Sequence, residues 1–253
     1  MVNRIVIKTS EEMKIMAEGG AKLARVKNSL KKEIKAGVNA NDIESLATEL
    51  IIKKEGAKPS FRMVPGYNWT TCVNINGGVV HGIPKKEIVF ERGDVVSVDV
   101  GVFYKGFHTD TSITVGIQVS KENQKFLDTG EEALRQAIKA TRTGNRIFDI
   151  SQAIEKTLTR GGYSPVRALV GHGVGRELHE EPQIPCFADE LHRSTSPEIM
   201  KGMVLAIEVM YSQGSGDVKL ENDGWTISSS DDTITALFED TVAITKEGSK
   251  VLT

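Results

Sequence analysis

Val95-Val96-Ser97-Val98-Asp99-Val100-Gly101-Val102-Phe103 and Phe107-His108-Thr109-Asp110-Thr111-Ser112 read as the two arms of one β-hairpin, joined by the turn-like Tyr104-Lys105-Gly106. Folding about Tyr104-Lys105 sets Asp99 opposite Asp110, and a longer loop that takes in Gly106 shifts this by about one step. Facing residues of paired strands have Cβ atoms roughly 5 Å apart, so two carboxylates there repel unless something positive lies between them. A bound cation is the natural candidate.

The segments around the hairpin repeat a pattern. Ser10, followed by Glu11 and Glu12, reads as a helix cap with acid at the positive end of the macrodipole, and Met13, Met16, Gly20, Leu23, Ala24 and Leu30 follow at helical spacing to a stop near Gly37. A second helix is expected from Asn41-Asp42, with Ile43, Leu46, Ala47 and Leu50 on one face, ending before Gly56. After the hairpin, Ser120 opens a helix bearing Phe126, Leu127, Ala133, Leu134, Ala137 and Ile138, and a shorter one carries Ile150, Ile154 and Leu158 before Gly161-Gly162. Gly37-Val38-Asn39-Ala40-Asn41-Asp42-Ile43 aligns with Gly144-Asn145-Arg146-Ile147-Phe148-Asp149-Ile150, so that Gly, Asp and Ile recur at one constant offset, Gly144 against Gly37. Such a duplication predicts two similar α+β halves, with helices on one side of a joined antiparallel sheet.

Two C-terminal strands are expected, at Met203 to Tyr211 and at Ile234 to Ile244. Glu208 shares a strand face with Val204, Ala206 and Met210, and a carboxylate on an apolar face needs a partner. Gly171-His172-Gly173-Val174-Gly175-Arg176-Glu177-Leu178-His179-Glu180-Glu181-Pro182 combines glycines that let backbone approach a site with two histidines, and a third histidine lies in Asn76-Gly77-Gly78-Val79-Val80-His81-Gly82-Ile83-Pro84.

Composition narrows the classes. The 253 residues suffice for one large domain, and one compact unit spanning 1–253 is expected. A hydrophobic fraction of 39%, a charged fraction of 26% and a net charge of −2 give no basic field to attract nucleic acid, and Lys31-Lys32, Lys53-Lys54 and Lys85-Lys86 read as solvated charge. No apolar run approaches the ~20 residues of a membrane span, and Met1 to Lys8 lacks the apolar core of a signal peptide, so a cytoplasmic location away from membranes is expected. Cys72 and Cys186 read as reduced thiols in packed surroundings.

Taken together, the segments Asp94 to Asp99, Gly106 to Ser112 and Gly171 to Gly175, in this order and spacing, resemble the methionine aminopeptidases of type I, and the resemblance runs from about Ile7 to Val251. It implies a single catalytic metallopeptidase domain with the pita-bread fold, a pseudo-symmetric α+β duplication. It also implies that Asp99, Asp110, His172, Glu208 and Glu239 hold two divalent ions, and that His81 and His179 contact substrate and help move protons. Oxygen-rich ligation with one imidazole suits Mn, Fe, Co or Zn. If the four carboxylates converge at ~5 Å, each like-charged pair costs about 3 kcal/mol at an effective dielectric of ~20, which two divalent ions would cancel. The family commonly has proline where Val209 stands, often histidine where Asp240 stands and often an aromatic where Leu178 stands. Phe61 to Trp69 also differs from the usual pocket sequence, and Tyr67, Cys72, Leu178 and Trp225 are candidate walls for a methionine side chain.

The expected reaction is removal of an initiator methionine from nascent polypeptides, with metal-activated water attacking the first carbonyl. Glu208 would shuttle protons, His179 would stabilise the oxyanion and His81 would contact the scissile amide. Nascent N-termini are the expected partners, with the ribosome as a further one, and a monomer is expected. Three alternatives stay open: an aminopeptidase of the same fold that cleaves before proline, whose relatives usually carry an extra N-terminal domain; a pita-bread binding protein without catalysis; and acids on solvated strand faces.

Overall fold

Among the described residues four α-helices occur, three of them started by a capping side chain and the fourth by Asp149 reaching back to the Arg146 N–H. In the computed structural model, which describes residues 5–253, α1 spans Ser10–Glu33. Its N-cap is Thr9, not Ser10: the Thr9 hydroxyl accepts from the Glu12 N–H while the Glu12 carboxylate accepts from the Thr9 N–H. The helix ends at Glu33, short of Gly37, because Ile34 leaves the helical path as extended chain and buries itself in the core. Helices α2 (Ala40–Glu49), α3 (Lys121–Ala140) and α4 (Ile147–Gly161) follow Asn39, Ser120 and Arg146, and Gly162 closes α4 at φ +88°, a left-handed conformation that favours glycine.

The duplication is visible in backbone geometry. Ala40 and Ile147 open their helices at the same offset that aligns Gly37 with Gly144, and those two glycines share left-handed φ values of +89° and +93°. Asp42 and Asp149 each sit three residues past the N-cap and accept from its N–H. Chain order repeats as well, with two helices preceding the strands in each half.

Seven strands carry the argument: β1 (Thr71–Ile75), β2 (Val95–Tyr104), β3 (Phe107–Gly116), β4 (Val170–Gly173), β5 (Glu180–Pro185), β6 (Val204–Ser212) and β7 (Thr235–Thr245). They run β1-β2-β3-β7-β6-β4-β5 within one 10-stranded sheet, each pair antiparallel. Val96, Val98, Val100 and Val102 of β2 pack on Leu23, Val26 and Leu30 of α1, and Leu205, Ile207, Val209 and Tyr211 of β6 join Phe126, Ile150 and Ile154 of α3 and α4. The helices therefore cover one sheet face, and alternation sends the odd positions of β2 and the even positions of β6 to the other. Val209 and Asp240, two departures from the common family residues, sit at positions that alternation turns to the helix side. Val209 is fully buried there, and Asp240 pairs with Lys27 of α1 at 2.6 Å.

The hairpin turns one residue later than Tyr104-Lys105. Tyr104 faces Phe107 across a two-residue loop, with Lys105 at φ +47° and Gly106 at φ +92°, the backbone that matches the right-handed twist of paired strands. Asp99 consequently faces Ser112, while Asp110 faces Gly101. The two acids are diagonal neighbours on one face rather than directly opposed.

Candidate metal centre

That corrected register lines up the acids. Asp99 faces Ser112, Ser112 faces Glu239 and Glu239 faces Glu208, so one row crosses β2, β3, β7 and β6. Asp110 lies two residues from Ser112 on the same face of β3, and His172 of β4 faces Ala206, two residues from Glu208 on β6. Ligand atoms of Asp110, His172 and Glu239, all buried, lie within 4.8 Å of one another, and His172 Nε2 stands 3.3 Å from Glu208 Oε1. All five residues named from the sequence thus meet on the face away from the helices.

The junction between the halves shapes this site. Strands β3 and β7 pair directly only at Glu239 with Ser112 and at Asp240 with Thr111. Beyond those pairs the ladder is carried by hydroxyls. Thr241 Oγ1 accepts from the Asp110 N–H (2.9 Å) and donates to the Asp110 carbonyl (2.7 Å), and Thr114 Oγ1 does the same with Leu237 at 3.1 and 2.6 Å. The interposed hydroxyls hold the strands apart and still satisfy buried backbone groups.

Electrostatics shows what the cluster lacks. Asp99 Oδ1 and Glu239 Oε1 are buried with no hydrogen-bond partner. Burial, then the neighbouring charges of Asp110 and Glu208, push the carboxyls of Asp99 and Glu239 well above the ordinary carboxylate range. Asp110 rises to about 7, chiefly through burial, with His172 opposing and Glu208 adding. Burial, the largest single influence, pulls His172 down, but its hydrogen bonds to Glu208 and Gly173 and the charges of Glu208 and Asp110 together leave it raised. His172 Nδ1 lies 2.8 Å from the Gly173 carbonyl, which can only accept, so Nδ1 carries a proton and Nε2 is the ring nitrogen turned into the site, free to ligate a cation once its own proton is displaced. Orphaned carboxylate oxygens, uncompensated negative charge and one directed imidazole are the donor set of a divalent cation, so the residues fit such a group.

A cleft of ≈ 560 Å³ opens over this cluster and is lined by His81, His172, His179 and Glu208, with Val80, Leu169, Val170 and Met210 as apolar wall. His81 is held at φ +59°, uncommon for a residue with a Cβ, because its neighbour Gly82 is clamped to β1: Gly82 N–H donates to Asn74 Oδ1 and Val73 N–H to the Gly82 carbonyl, both at 2.9 Å. Burial lowers His81, and burial plus the charges of His172, His81 and His108 lower His179 to about 4, so both rings are neutral at pH 7. Each can donate a hydrogen bond without carrying charge.

On the first-half side, Phe61, Tyr67, Cys72 and Leu178 form a buried apolar cluster against Val64, Trp69 and Trp225. Tyr67 meets Trp69 and Trp225 edge-on, with ring centroids 5.2 and 5.1 Å apart, and Cys72 faces Asp99 across the β1–β2 pair. Tyr67, Cys72, Leu178 and Trp225 therefore stand together next to the acids, despite the unusual Phe61 to Trp69 sequence. Glu44 of α2 secures this corner, a role that sequence reading missed. Its buried carboxylate accepts from the N–H groups of Thr70 and Thr71, the Thr71 hydroxyl and Arg62. Thr241 and Asn74 were likewise missed, because a hydroxyl or amide that bonds distant backbone leaves no periodic mark in a sequence.

Comparison with known proteins follows the same lines. The profile of metallopeptidase family M24 matches residues 14–246. A methionine aminopeptidase of Clostridium perfringens is 38% identical over 250 residues, covering 98% of both chains. The crystal structure of a methionine aminopeptidase from Thermotoga maritima superposes with a TM-score of 0.94 at 40% identity, covering 98% of this chain and 99% of that one. A prolidase from Pyrococcus furiosus shares the fold at TM-score 0.75 and 23% identity, and this chain covers 65% of it.

Proposed function

The chain belongs to metallopeptidase family M24 and has its pita-bread fold, and from that membership we infer that it is a metallo-aminopeptidase that removes the N-terminal methionine from polypeptides. The observation that carries the reading is the row of acids with His172 beside an aromatic-walled apolar cluster. Methionine's thioether suits such walls, because sulfur makes favourable contacts with ring edges.

Asp99, Asp110, His172, Glu208 and Glu239 would hold two divalent ions, with Mn, Fe, Co and Zn all compatible with the donors. When bound, the ions polarise the scissile carbonyl and lower the pKa of the attacking water. The remaining steps belong to side chains. The cluster of Tyr67, Cys72, Leu178 and Trp225 takes the methionine side chain and fixes the first peptide bond over the acids. Glu208 takes the proton of the attacking water on its carboxylate and passes it to the leaving amine. Neutral His179 donates from its ring N–H to the carbonyl oxygen as charge grows there, and His81 bonds the scissile amide. Nascent chains in the cytoplasm are the substrates in this reading, the whole of residues 1–253 acts as one catalytic domain, and the protein works as a monomer that meets its substrates at the ribosome.

Cleavage before proline is the second reading, favoured only by the shared fold of the prolidase. An assay of Met-Ala-Ser against an Xaa-Pro peptide with added Mn or Co separates the two. Release of methionine from Met-Ala-Ser is expected, whereas turnover of only the proline peptide would replace the proposal.

A further inference from the structure

His179 sits between two anchored residues. Its own ring meets His172 edge-on, centroids 4.5 Å apart, and otherwise faces the cleft. Leu178 on one side is locked into the apolar cluster with Phe61, Tyr67 and Cys72. Glu180 on the other side forms an ion pair with Lys8, 172 residues away in the chain, with Nζ 2.6 Å from Oε2. Those two side chains are only 2% and 6% exposed.

The surrounding chain is built to admit this pair. A Cβ on Gly175 would lie 2.5 Å from Lys8 Cε and 2.6 Å from Glu180 Oε1, and a Cβ on Gly202 would lie 2.6 Å from Ile7 Cγ2, so both glycines leave the space that Ile7 and Lys8 fill. Lys8 N–H donates to the Gly202 carbonyl at 2.7 Å, two residues before the strand that carries Glu208, and Lys8 Nζ reaches the Val6 carbonyl at 3.4 Å. Glu180 Oε1 accepts from the Glu177 N–H at 3.3 Å, and Arg176 bonds Glu12 at 2.8 Å, so the segment before His179 is tied to Glu180 at one point and to the start of α1 at another. Val6 itself lines the catalytic cleft.

A buried ion pair is a poor way to gain stability, since apolar side chains of similar volume commonly serve as well; what it adds is one defined geometry. We propose that Lys8 is a positioning residue for the reaction: through the buried Glu180 carboxylate it fixes the backbone next to His179 and so aims the His179 ring at the carbonyl oxygen of the substrate. The proposal rests on the reading of His179 given above. Lys8 touches no substrate, and its effect passes through one neighbour.

Steady-state kinetics of the Mn-loaded full-length protein on Met-Ala-Ser test this. Lys8→Met is expected to lower kcat about 30-fold, the scale of losing a supporting partner, with KM within about threefold of wild type. In a His179→Ala background the same change is expected to lower kcat less than about threefold, because both substitutions act on one group. Calorimetric Mn titration should give the wild-type affinity. Should Lys8→Met fail to fold with Glu180 left charged and alone, Lys8→Met with Glu180→Met removes both charges, and the same comparison is made with that pair. Equal losses in the two backgrounds, or an unchanged kcat, would overturn the proposal. If the wild-type protein leaves Met-Ala-Ser uncleaved, the functional reading fails, and this inference with it.

Discussion

Asp110 combines burial with a position between both halves of the molecule. It is 3% exposed, its backbone is held on both sides by Thr241, and burial raises its carboxyl to about 7. Folding therefore favours the protonated form. The corresponding stability is full below the unfolded value near 3.8 and is lost as pH rises through about 7. Asp110→Asn removes that burden while keeping the shape, so the metal-free variant is expected to melt higher than metal-free wild type at pH 8, and scanning calorimetry checks it. The same variant should bind less than half the wild-type metal and lose aminopeptidase activity, as read by elemental analysis and the Met-Ala-Ser assay. At this scale the sequence was informative: acids and histidines stood out because each interrupts an apolar strand or a glycine-rich loop. Lys8 did not stand out, since a lysine near a chain start looks solvated until Glu180 is found beside it.

Among the elements, the hairpin and the central junction matter most. Lys105-Gly106 sets the β2–β3 register, and that register moves Asp99 out of direct opposition to Asp110 and into line with Glu239 and Glu208. The expectation placed the turn one residue early, because Tyr104, Lys105 and Gly106 all read as turn and only the positive φ pair decides between the possible loops. Thr241 and Thr114 form a matched pair across the junction and allow a controlled comparison. Each valine substitution deprives a buried N–H and a buried carbonyl of their partner, costing about 2–4 kcal/mol in denaturant titration. Only Thr241→Val is expected to weaken Mn binding as well, by about tenfold, because its partner Asp110 is a proposed ligand whereas Leu237 is not. Equal effects on metal binding from both variants would show that the junction acts on the site as a rigid whole.

The molecule as a whole is two copies of one plan joined edge to edge, and its acids come from the four strands around the join. Such a site places like charges where only a cation reconciles them, so metal and fold are linked. At metal concentrations about 100-fold above Kd, binding contributes roughly 2.7 kcal/mol per site, so chelation should lower Tm by about 5–10 °C at pH 7.5 for each ion removed, and by about twice that for the proposed pair. The loss should shrink toward pH 5, where protonated Asp110 no longer needs a counter-charge, and Mn should restore the higher Tm. Sequence alone determined the periodicity of the helices, the repeat of Gly, Asp and Ile and the identity of the acids and histidines, because amphipathic alternation and special backbone positions are properties of neighbouring residues. Tertiary structure decided the register that aligns Asp99 with Glu239, the threonine bridges between the halves, the clamp of Glu44 on β1 and the pairing of Lys8 with Glu180. Each of those depends on groups far apart in the chain meeting at hydrogen-bond distance, and local pattern carries no record of such meetings.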